Sequence, residues 1–554
     1  MTVRTLLGLL AVAAAAGCAP PSPAPASPDT APASAAQTPE PAAAWWAHVT
    51  FLSGDDMRGR ETGSPEHRKA ANYVADQLTK AGVQPAGTNG FLQPVTFRSR
   101  KIDEARSSLA LVRRGKETPL VLGDDAGFGM RVDPAPKVDA PLVFAGHGLV
   151  IPEVEHDDFA GLDVKGKVVV YVAGSPKNVP GALSAHYQSA AVRWATLKRL
   201  GAIGTIGVAN PKSMDVSWER SAPNRLNPAM ALADASLDDA AGQQVSITFN
   251  PAKAERLFEG SGHTFAEVLK VADEGKALPH FALPTSVRAA VAVDSQIVES
   301  QNVVGIVRGS DPALSGEFVV LTAHLDHVGL GAQINGDGIY NGTMDNASGI
   351  ATLLESARAI ASAKPKRSVL FVAVTAEEKG LLGSRYYALN PTVAREGIVA
   401  NINMDMFLPL FPMKMLMVLG LDESELGDDV RAVATAMNVA VQGDPEPQRN
   451  RFTRSDQYSF IREGVPALAM KVGYEEGSPE AKIAADWTRE RYHAPSDDLD
   501  QPMDRGAAAD FTKLIGDLCV RVANRDARPQ WREASFFKRF ARPVSTDATS
   551  AAPR

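Results

Sequence analysis

Four short apolar runs after residue 297 constrain the fold of this chain more than any other feature. They are rich in β-branched residues and read NVVGIV, FVVLTA, VLFVAVT and ANINM. Between the second and third runs, NASGIATLLESARAIAS places Ile350, Leu353, Leu354, Ala357 and Ile360 on one helical face. Runs that are apolar on both strand faces and alternate with amphipathic helices are typical of a parallel sheet covered by helices. The sequence therefore predicts an open, mostly parallel α/β sheet over residues 297 to about 530.

Composition narrows the class of protein. With 554 residues, 45% of them hydrophobic and 22% charged, the chain is long enough for two or three globular units. The formal net charge is -7, and the sequence contains no dense Lys/Arg block of the kind that follows a phosphate backbone. We therefore do not expect a nucleic-acid partner.

The N-terminal residues 1–18, MTVRTLLGLLAVAAAAGC, have the sections of an export signal. Arg4 precedes the apolar run from Leu6 to Ala16, which is shorter than the roughly 20 residues that span a bilayer. The ending AAGC resembles a bacterial lipobox, which implies a lipid anchor on Cys18. Ala15 stands where lipoboxes favour Leu, so plain secretion stays open. We expect an exported protein, either a lipoprotein of the outer membrane or cell surface, or a secreted one.

The remaining segments differ in composition. Residues 19–43 are almost wholly Pro, Ala, Ser and Thr and predict an extended tether, and residues 543–554 predict a disordered tail. Residues 101–292 contain short β-like runs separated by Gly and Pro, with a helical segment at 186–200, and predict a small mixed domain. Cys519 borders an apolar helical face and is expected to be a buried structural thiol.

The first helix of the folded part is signalled near residue 64. Ser64 is a good N-cap, Pro65 suits the first helical position, and Gly82 is placed to end the helix.

Polar side chains follow three of the four apolar runs. His324 and Asp326 come after FVVLTA, Glu377 and Glu378 after VLFVAVTA, and Asp405 after ANINM. Open α/β sheets bind ligands beyond the carboxyl ends of their strands. We therefore expect these side chains at one edge of the sheet, where they are of the types that bind metals or transfer protons.

Two residues outside the strand ends complete the candidate set. Asp345 precedes the helical segment, where it can cap the helix or lie at the same sheet edge. After residue 297 the histidines are His324, His327 and His493, and His493 lies in the loop-like sequence RYHAPSDDLD. A loop position favours a ligand role over a histidine of the core.

These residue types satisfy the needs of two zinc ions. Ions about 3.5–4 Å apart repel each other, so a carboxylate must bridge them, and each ion needs an imidazole and a further carboxylate. The expected arrangement has Asp345 as the bridge, His324 with Asp405 on one ion, and Glu378 with His493 on the other. Two zinc ions per chain are the predicted cofactors.

Two carboxylates remain for other roles. Glu377 precedes a ligand, and neighbouring side chains of an extended segment point to opposite sides, so we expect Glu377 to face the water and act as general base. Asp326 is expected to accept the second N–H of the His324 imidazole and so to orient that ligand.

Five motifs in this part of the chain resemble those of the zinc-dependent exopeptidases, the family of secreted bacterial leucine aminopeptidases with two co-catalytic zinc ions. They are HLDH at 324–327, MDNASG at 344–349, AEEKGLLGS at 376–384, NMDM at 403–406 and YHAPSDDLD at 492–500. MRGRETGSPEHRKAANYVADQL at 57–78 and RSDQYSF at 454–460 add to the resemblance.

The resemblance implies the same ligand roles, with His324 rather than His327 as ligand, and a cis peptide between Asp345 and Asn346. It also implies that the insert 101–292 contains a small α+β protease-associated domain. The peptidase domain, with the phosphorylase/hydrolase-like sheet of the family, would then be discontinuous and made of residues 44–100 and 293–535.

The function that the resemblance implies is a metallo-aminopeptidase acting on peptides. A carboxypeptidase stays open, because Arg449, Arg451 and Arg454 can bind a substrate carboxylate. A glutaminyl cyclase, which is similar mainly in a one-zinc site, and a receptor-like ectodomain without metals also stay open. Two stretches depart from the family pattern: FLPLFP after NMDM, and RSDQYSF with its Gln457. Phe407 and Tyr492, which adjoin expected ligands, are expected to shape the substrate pocket.

Overall fold

The computed structural model describes residues 40–542. The predicted export signal with Cys18, most of the predicted tether and the predicted tail from 543 lie outside these residues. The first helix begins at Glu40, so the last residues of the predicted tether 19–43 are helical instead. Within residues 40–542, none of the helices has both the length and the apolarity to cross a bilayer.

The α-helices lie between groups of strands along the described chain. Numbered in chain order, they are α1 Glu40–Ser53, α2 Pro65–Lys80, α3 Gly181–Gln188, α4 Ala190–Arg199, α5 Trp218–Ser221, α6 Glu255–Phe258, α7 Phe265–Asp273, α8 Ser348–Ala363, α9 Leu382–Leu389, α10 Leu426–Ala436, α11 Gln457–Arg462, α12 Pro479–Glu490 and α13 Arg505–Ala523.

The strands form two large sheets and two short hairpins. In chain order they are β1 Gln84–Pro85, β2 Leu92–Ile102, β3 Ser108–Arg113, β4 Lys116–Leu120, β5 Ala126–Phe128, β6 Lys137–Ala145, β7 Val150–Ile151, β8 His156–Asp157, β9 Val168–Val172, β10 Gly204–Val208, β11 Ala229–Leu232, β12 Val245–Phe249, β13 His280–Ala290, β14 Val293–Val307, β15 Phe318–His324, β16 Gly329–Ile334, β17 Asp337–Tyr340, β18 Ser368–Val374, β19 Ile398–Asn403, β20 Met415–Leu419, β21 Ala440–Gln442 and β22 Ala467–Val472.

The larger sheet has ten strands, and its long path runs β11-β2-β14-β18-β15-β19-β22-β20-β21. Its four central strands β18, β15, β19 and β22 are parallel. On either side an antiparallel pair follows, because β14 runs against β18 and β20 runs against β22, while β21 at the edge is parallel to β20. The four predicted runs are all strands of this sheet, but the expectation of a mostly parallel sheet is wrong for its flanks.

Both faces of the central strands are covered, which explains their continuous apolar sequence. Alternate residues of β15 pack in opposite directions: Leu321 joins the core beneath α8 and α13, and Val320 joins the core of the other face. Ile350 and Leu353 of α8 contribute to the first core, as their helical spacing predicts. Cys519 of α13 is also buried there, so the structural thiol is confirmed.

The predicted helix after residue 64 is present as α2. The Ser64 side chain accepts the N–H of His67, Pro65 is the first helical residue, and Gly82 follows the helix end with a φ of 79°. Glycine adopts this left-handed conformation without a steric cost.

The insert forms the second sheet, whose eight strands run β4-β3-β13-β6-β9-β10-β12-β5. It leaves and rejoins the larger sheet through β2 and β14, which pair from Leu92 to Ile102. The insert is not fully separate from the larger sheet, because β11 lies inside the predicted insert but pairs with β2 of the larger sheet. The predicted helix at 186–200 is divided at Ser189 into α3 and α4. The protease-associated identity of this domain stays a prediction.

Acid is expected to weaken the fold through His186, which joins helix α3 of the insert to helix α11. His186 Nδ1 lies 2.8 Å from the hydroxyl of Tyr458, and burial lowers the pKa of His186 to about 4. An unfolded histidine takes up its proton near pH 6.5, so stability is lost as the pH falls from about 6.5 to 4, by at most about 3 kcal/mol.

The test is chemical denaturation as a function of pH. His186→Gln should show a smaller loss of unfolding free energy between pH 7 and pH 4.5 than the wild type. His263→Gln, which changes an exposed histidine of the insert, should keep the wild-type slope. Equal slopes for all three proteins would contradict the assignment to His186.

Candidate active site

The polar clusters predicted from the strand ends meet at one edge of the larger sheet. β15 ends at His324, Glu377 and Glu378 follow the end of β18, and Asp405 follows the end of β19. Because β15 lies between β18 and β19 and all three are parallel, their carboxyl ends point the same way. The topology therefore brings together residues that are far apart in sequence.

His324, Asp345 and Asp405 form the first group of the site. His324 Nε2 lies 3.1 Å from Asp345 Oδ1 and 3.4 Å from Asp405 Oδ1. The donor atoms of the three residues all lie within 4.8 Å of one another. This is the grouping that the sequence predicts.

His493, Asp345 and Glu378 form the second group. His493 Nε2 lies 3.2 Å from Asp345 Oδ2 and 3.2 Å from Glu378 Oε2. Asp345 therefore presents one carboxylate oxygen to each group. All five predicted ligands lie together.

His327 also belongs to the site, although the sequence does not predict it as a ligand. Its Nδ1 lies 2.7 Å from Glu378 Oε1 and 3.8 Å from Asp345 Oδ2. The His327 side chain is fully buried, whereas that of His493 is 25% exposed. His327 thus approaches Oε1 of Glu378 from the protein interior, whereas the partly exposed His493 approaches Oε2. The HLDH motif contains this signal, since it places a second histidine three residues after the first.

Several polar atoms of the site lack hydrogen-bond partners among the described residues. They are His324 Nε2, Asp405 Oδ1, Glu378 Oε1 and both ring nitrogens of His327. Buried polar atoms normally have partners. Imidazole nitrogens and carboxylate oxygens that face each other without hydrogen bonds are the donor set of a zinc site, so the residues present fit such ions.

The charges of the site are strongly coupled. Burial lowers the pKa of His324, but Asp345 and Asp405 outweigh it and raise this pKa well above its usual value. Burial raises the pKa of Glu378, but His493 and His327 outweigh it, so this carboxyl is held in its ionised form.

Glu377 behaves differently from its neighbour. Burial raises the pKa of Glu377, the nearby carboxylates of Asp405 and Glu378 raise it further, and only His324 opposes them among the main contributions. The resulting pKa lies well above that of an ordinary glutamate. Such a group is suited to proton transfer.

The prediction that the Asp326 carboxylate accepts the N–H of the His324 imidazole is wrong. His324 Nδ1 lies 3.0 Å from the backbone oxygen of Asp326, not from its carboxylate. The carboxylate instead accepts the backbone N–H groups of Glu377 at 3.1 Å and of Glu378 at 3.3 Å, and the hydroxyl of Thr62 at 3.1 Å. β15 and β18 are neighbours, so the Asp326 side chain reaches across to the next strand end and positions the glutamate pair.

Asp345 does not cap a helix. In the first turn of α8, the N–H of Gly349 donates to Oδ1 of the neighbouring Asn346 at 3.0 Å. The carboxylate of Asp497 instead accepts the N–H groups of Met344 at 2.9 Å and of Asp345 at 3.1 Å. The peptide between Asp345 and Asn346 is cis, as the resemblance implies.

Arg60 holds the loops beneath the site, a role that the sequence motifs do not reveal. Its guanidinium donates to the backbone oxygens of Leu325 at 3.1 Å, Asn341 at 2.7 Å and Gly342 at 3.0 Å, and also to Leu52. Arg60 is 1% exposed. One buried cation thus joins the end of β15, the approach to Asp345 and helix α1.

Asp456 is a further buried acid near the site that the sequence does not single out. It is fully buried, and neither carboxylate oxygen has a hydrogen-bond partner among the described residues. Burial raises the pKa of Asp456 to about 7, and the negative charge of Asp405 contributes to the shift while His324 opposes it. Asp456 belongs to the RSDQYSF motif, and the resemblance of this motif to the family could have indicated that the residue lies near the site.

Two cavities open at this sheet edge. The first, with a volume of about 920 Å³, lies between the insert and the larger sheet and is lined by Glu377, Glu378 and His493. The second, of about 570 Å³, is lined by Asp405 and is named the Asp405 cavity below. Tyr492 lines both cavities, as expected for a pocket residue. Phe407 does not, because it is fully buried and stacks on Phe511, so the pocket role expected for it is wrong.

The insert contacts both loops of the second group. Arg131 donates to the backbone oxygen of Glu378 at 3.0 Å. Arg220 donates to the backbone oxygen of Tyr492 at 2.7 Å and also to that of Arg489. The insert therefore helps to position the segments that carry Glu378 and His493.

The three arginines considered for a substrate carboxylate are already paired. Asp215 of the insert forms ion pairs with Arg449 and with Arg454, the latter at 2.8 Å. Arg451 pairs with Asp444 at 3.0 Å and with Glu446 at 2.5 Å.

Comparison with known proteins agrees with this geometry. Residues 302–519 match the model of peptidase family M28, which confirms the resemblance that the motifs indicate. The chain is 31% identical over 245 residues to probable leucine aminopeptidase 2 of Aspergillus fumigatus, covering 41% of this chain and 45% of that protein. It is 29% identical over 276 residues to aminopeptidase Y of Saccharomyces cerevisiae, covering 48% of each. The chain thus spans about half the length of these curated relatives.

A solved structure extends the similarity of the fold beyond the matched segment. The aminopeptidase from Aneurinibacillus sp. strain AM-1 superposes with a TM-score of 0.52 at 19% identity, covering 86% of this chain and 92% of that one. At this identity the likeness concerns the fold.

Replacing Arg60 is expected to destabilise the protein strongly. Arg60→Met leaves several buried carbonyls without their donor, and hydrogen bonds to charged groups contribute about 1.5–3 kcal/mol each, so a loss of at least about 3 kcal/mol is expected. Arg58→Met is the matched control, since Arg58 is 56% exposed and pairs with Glu66 only at 3.7 Å. That control should cost under about 1 kcal/mol in urea denaturation. Similar losses in both variants would contradict the role of Arg60.

Proposed function

Residues 302–519 of this chain carry the pattern of peptidase family M28, and on that premise we propose that the protein is a zinc-dependent aminopeptidase that hydrolyses N-terminal residues from peptides. One observation carries the proposal. Asp345 presents Oδ1 to His324 and Oδ2 to His493, so one buried carboxylate lies between two groups of metal-binding side chains. The names of the relatives, leucine aminopeptidase and aminopeptidase Y, support the same activity.

Two zinc ions per chain are proposed as cofactors. Asp345 would bind both, with His324 and Asp405 on one and Glu378 and His493 on the other. When bound, zinc ions lower the pKa of water and polarise a carbonyl group. The unpartnered atoms of His324, Asp405 and Glu378 support this assignment.

Glu377 is proposed as the general base. It would take a proton from the attacking water at its carboxylate and deliver that proton to the nitrogen of the leaving amine. Its raised pKa, caused by burial and neighbouring carboxylates, suits a group that both accepts and returns a proton. The hydrogen bonds from the Glu377 and Glu378 N–H groups to Asp326 would fix the two side chains in their separate roles.

The two glutamates beside the metal-binding groups support binding of a substrate amine rather than a carboxylate. Glu377 and Glu378 line the larger cavity, and they attract the ammonium group of a peptide N-terminus. Arg449, Arg451 and Arg454 are neutralised by Asp215, Asp444 and Glu446, so they are poor receptors for a C-terminal carboxylate. A glutaminyl cyclase is less favoured, because the group with His324 and Asp405 is complete.

The insert is proposed to be a protease-associated domain that narrows access to the cleft. Its Arg131 and Arg220 contact the site loops, and the larger cavity lies between it and the larger sheet. The substrates would then be peptides that can enter a cavity of about 920 Å³ rather than folded proteins. Export through residues 1–18, with or without a lipid on Cys18, is proposed from the sequence.

Glu377→Gln separates the proton transfer from metal binding. The variant should keep about two zinc equivalents by elemental analysis, while kcat falls about 100- to 10,000-fold, because the amide accepts no proton. Glu378→Gln is the matched control and should lower the zinc content. Wild-type turnover in Glu377→Gln would contradict the assignment of the base.

The end of the peptide that is cut is tested with matched substrates. Peptides with a free α-amine should be cleaved, and the same peptides with an acetylated N-terminus should be resistant. Cleavage of both at equal rates, or release of the C-terminal residue, would overturn the aminopeptidase proposal.

A further inference from the structure

Lys471 occupies an unusual position for a lysine. It lies on β22, an interior strand of the larger sheet, and is only partly exposed. The residue two positions before it, Ala469, is buried on the same strand face, and Met417 and Leu419 of the neighbouring β20 line the same space. A lysine among such residues loses hydration, which is costly unless a partner compensates.

The partners of Lys471 do not balance its charge. Its Nζ donates one hydrogen bond, to the backbone oxygen of Met406 at 3.0 Å. No carboxylate within residues 40–542 forms an ion pair with it. Burial lowers the pKa of Lys471, and the attraction of Asp405 only opposes that shift. An ammonium group has three N–H donors, so Lys471 keeps donors free for a ligand.

The other cations around the Asp405 cavity are already neutralised. Arg449 and Arg454 share Asp215, and Arg451 is held by Asp444 and Glu446. Arg489 pairs with Asp486 and Glu490. Among the cations of this lining, Lys471 thus differs in forming no ion pair with any side chain of the described residues. The position of that charge is fixed by a strand and a backbone hydrogen bond rather than by a mobile surface loop.

The Asp405 cavity leads from the candidate catalytic centre to Lys471. Asp405 and Lys471 both line it, together with the apolar side chains of Met406, Leu408 and Phe411. Its volume of about 570 Å³ exceeds that of any single amino-acid side chain. The arginines of the lining are paired, and Glu476 is exposed to solvent. Apolar side chains beside one cation that has no ion pair among the described residues suit a substrate side chain that has an aliphatic stem and an anionic tip.

Resting on the proposed aminopeptidase function, we propose that the Asp405 cavity receives the side chain of the substrate's N-terminal residue and that Lys471 selects an acidic one, glutamate or aspartate. The α-amine would lie among the carboxylates of the centre, and the side chain would extend past Met406 to the Lys471 ammonium. Asp405 lies at the near end, where it would be engaged by a metal, so its charge does not repel the anionic tip.

The experiment compares substrates that differ only in charge. kcat/KM is measured for aminoacyl-anilides of Glu against Gln and of Asp against Asn, with Leu as an apolar reference. The wild type should favour Glu over Gln by about 10- to 100-fold, because the neutral amide leaves the ammonium without a counter-charge. Raising the salt concentration should reduce this ratio.

Lys471→Met removes the charge and keeps the length of the side chain. The Glu:Gln ratio should fall at least about tenfold in this variant, with the rate on Leu kept or raised. Lys414→Met, which removes an exposed lysine that does not line the cavity, is the matched control and should keep the wild-type ratio. The ratio within each variant cancels differences in folded or metal-loaded fraction.

The outcomes separate this inference from the function on which it rests. If the wild type cleaves Leu or Gln substrates but not Glu substrates, the acidic preference is wrong and the aminopeptidase proposal stands. If no aminoacyl substrate is cleaved, the proposed function itself fails. A lower zinc content in Lys471→Met with an unchanged Glu:Gln ratio would mean that Lys471 supports the metal centre, and would overturn its role in selecting substrates.

Discussion

The site depends on the carboxylate of Asp345, which lies between two groups of side chains. Asp345 is buried, and its two oxygens point to two different histidines, each of which also approaches a second carboxylate. A buried polar network specifies a single structure when its members have their partners. The backbone around Asp345 is held by residues outside the two groups. Asp497 fixes it by accepting the N–H groups of Met344 and Asp345, and Arg60 fixes the neighbouring backbone at Asn341 and Gly342.

The same constraint explains the concentration of acidic groups at this edge. Glu377, Asp326 and Asp456 are acids whose pKa values burial raises, whereas the pKa values of Asp345 and Glu378 are lowered by histidines. The carboxyl groups at this sheet edge are thus of two kinds. Those that face imidazoles are held in the ionised form, and the others hold a proton more readily. In the proposed function, the first kind would bind zinc and Glu377, of the second kind, would transfer a proton.

The sequence predicted the parts of this structure that follow from local pattern. The four apolar runs became strands, Ser64 capped α2, and the five proposed ligands met, because parallel strands place their ends together. Patterns that depend on distant partners were missed. The sequence does not reveal that Asp326 would reach β18, that His327 would lie against Glu378, or that a strand of the insert would join β2. The charge of Lys471 became informative only when the pairing of the nearby arginines was known.

The most direct test of the account is anomalous X-ray diffraction from crystals of the zinc-loaded protein, with data collected on both sides of the zinc absorption edge. The account predicts two zinc peaks, one on each side of the Asp345 carboxylate, the first beside His324 and Asp405 and the second beside Glu378 and His493. A single peak, or peaks remote from Asp345, would contradict it.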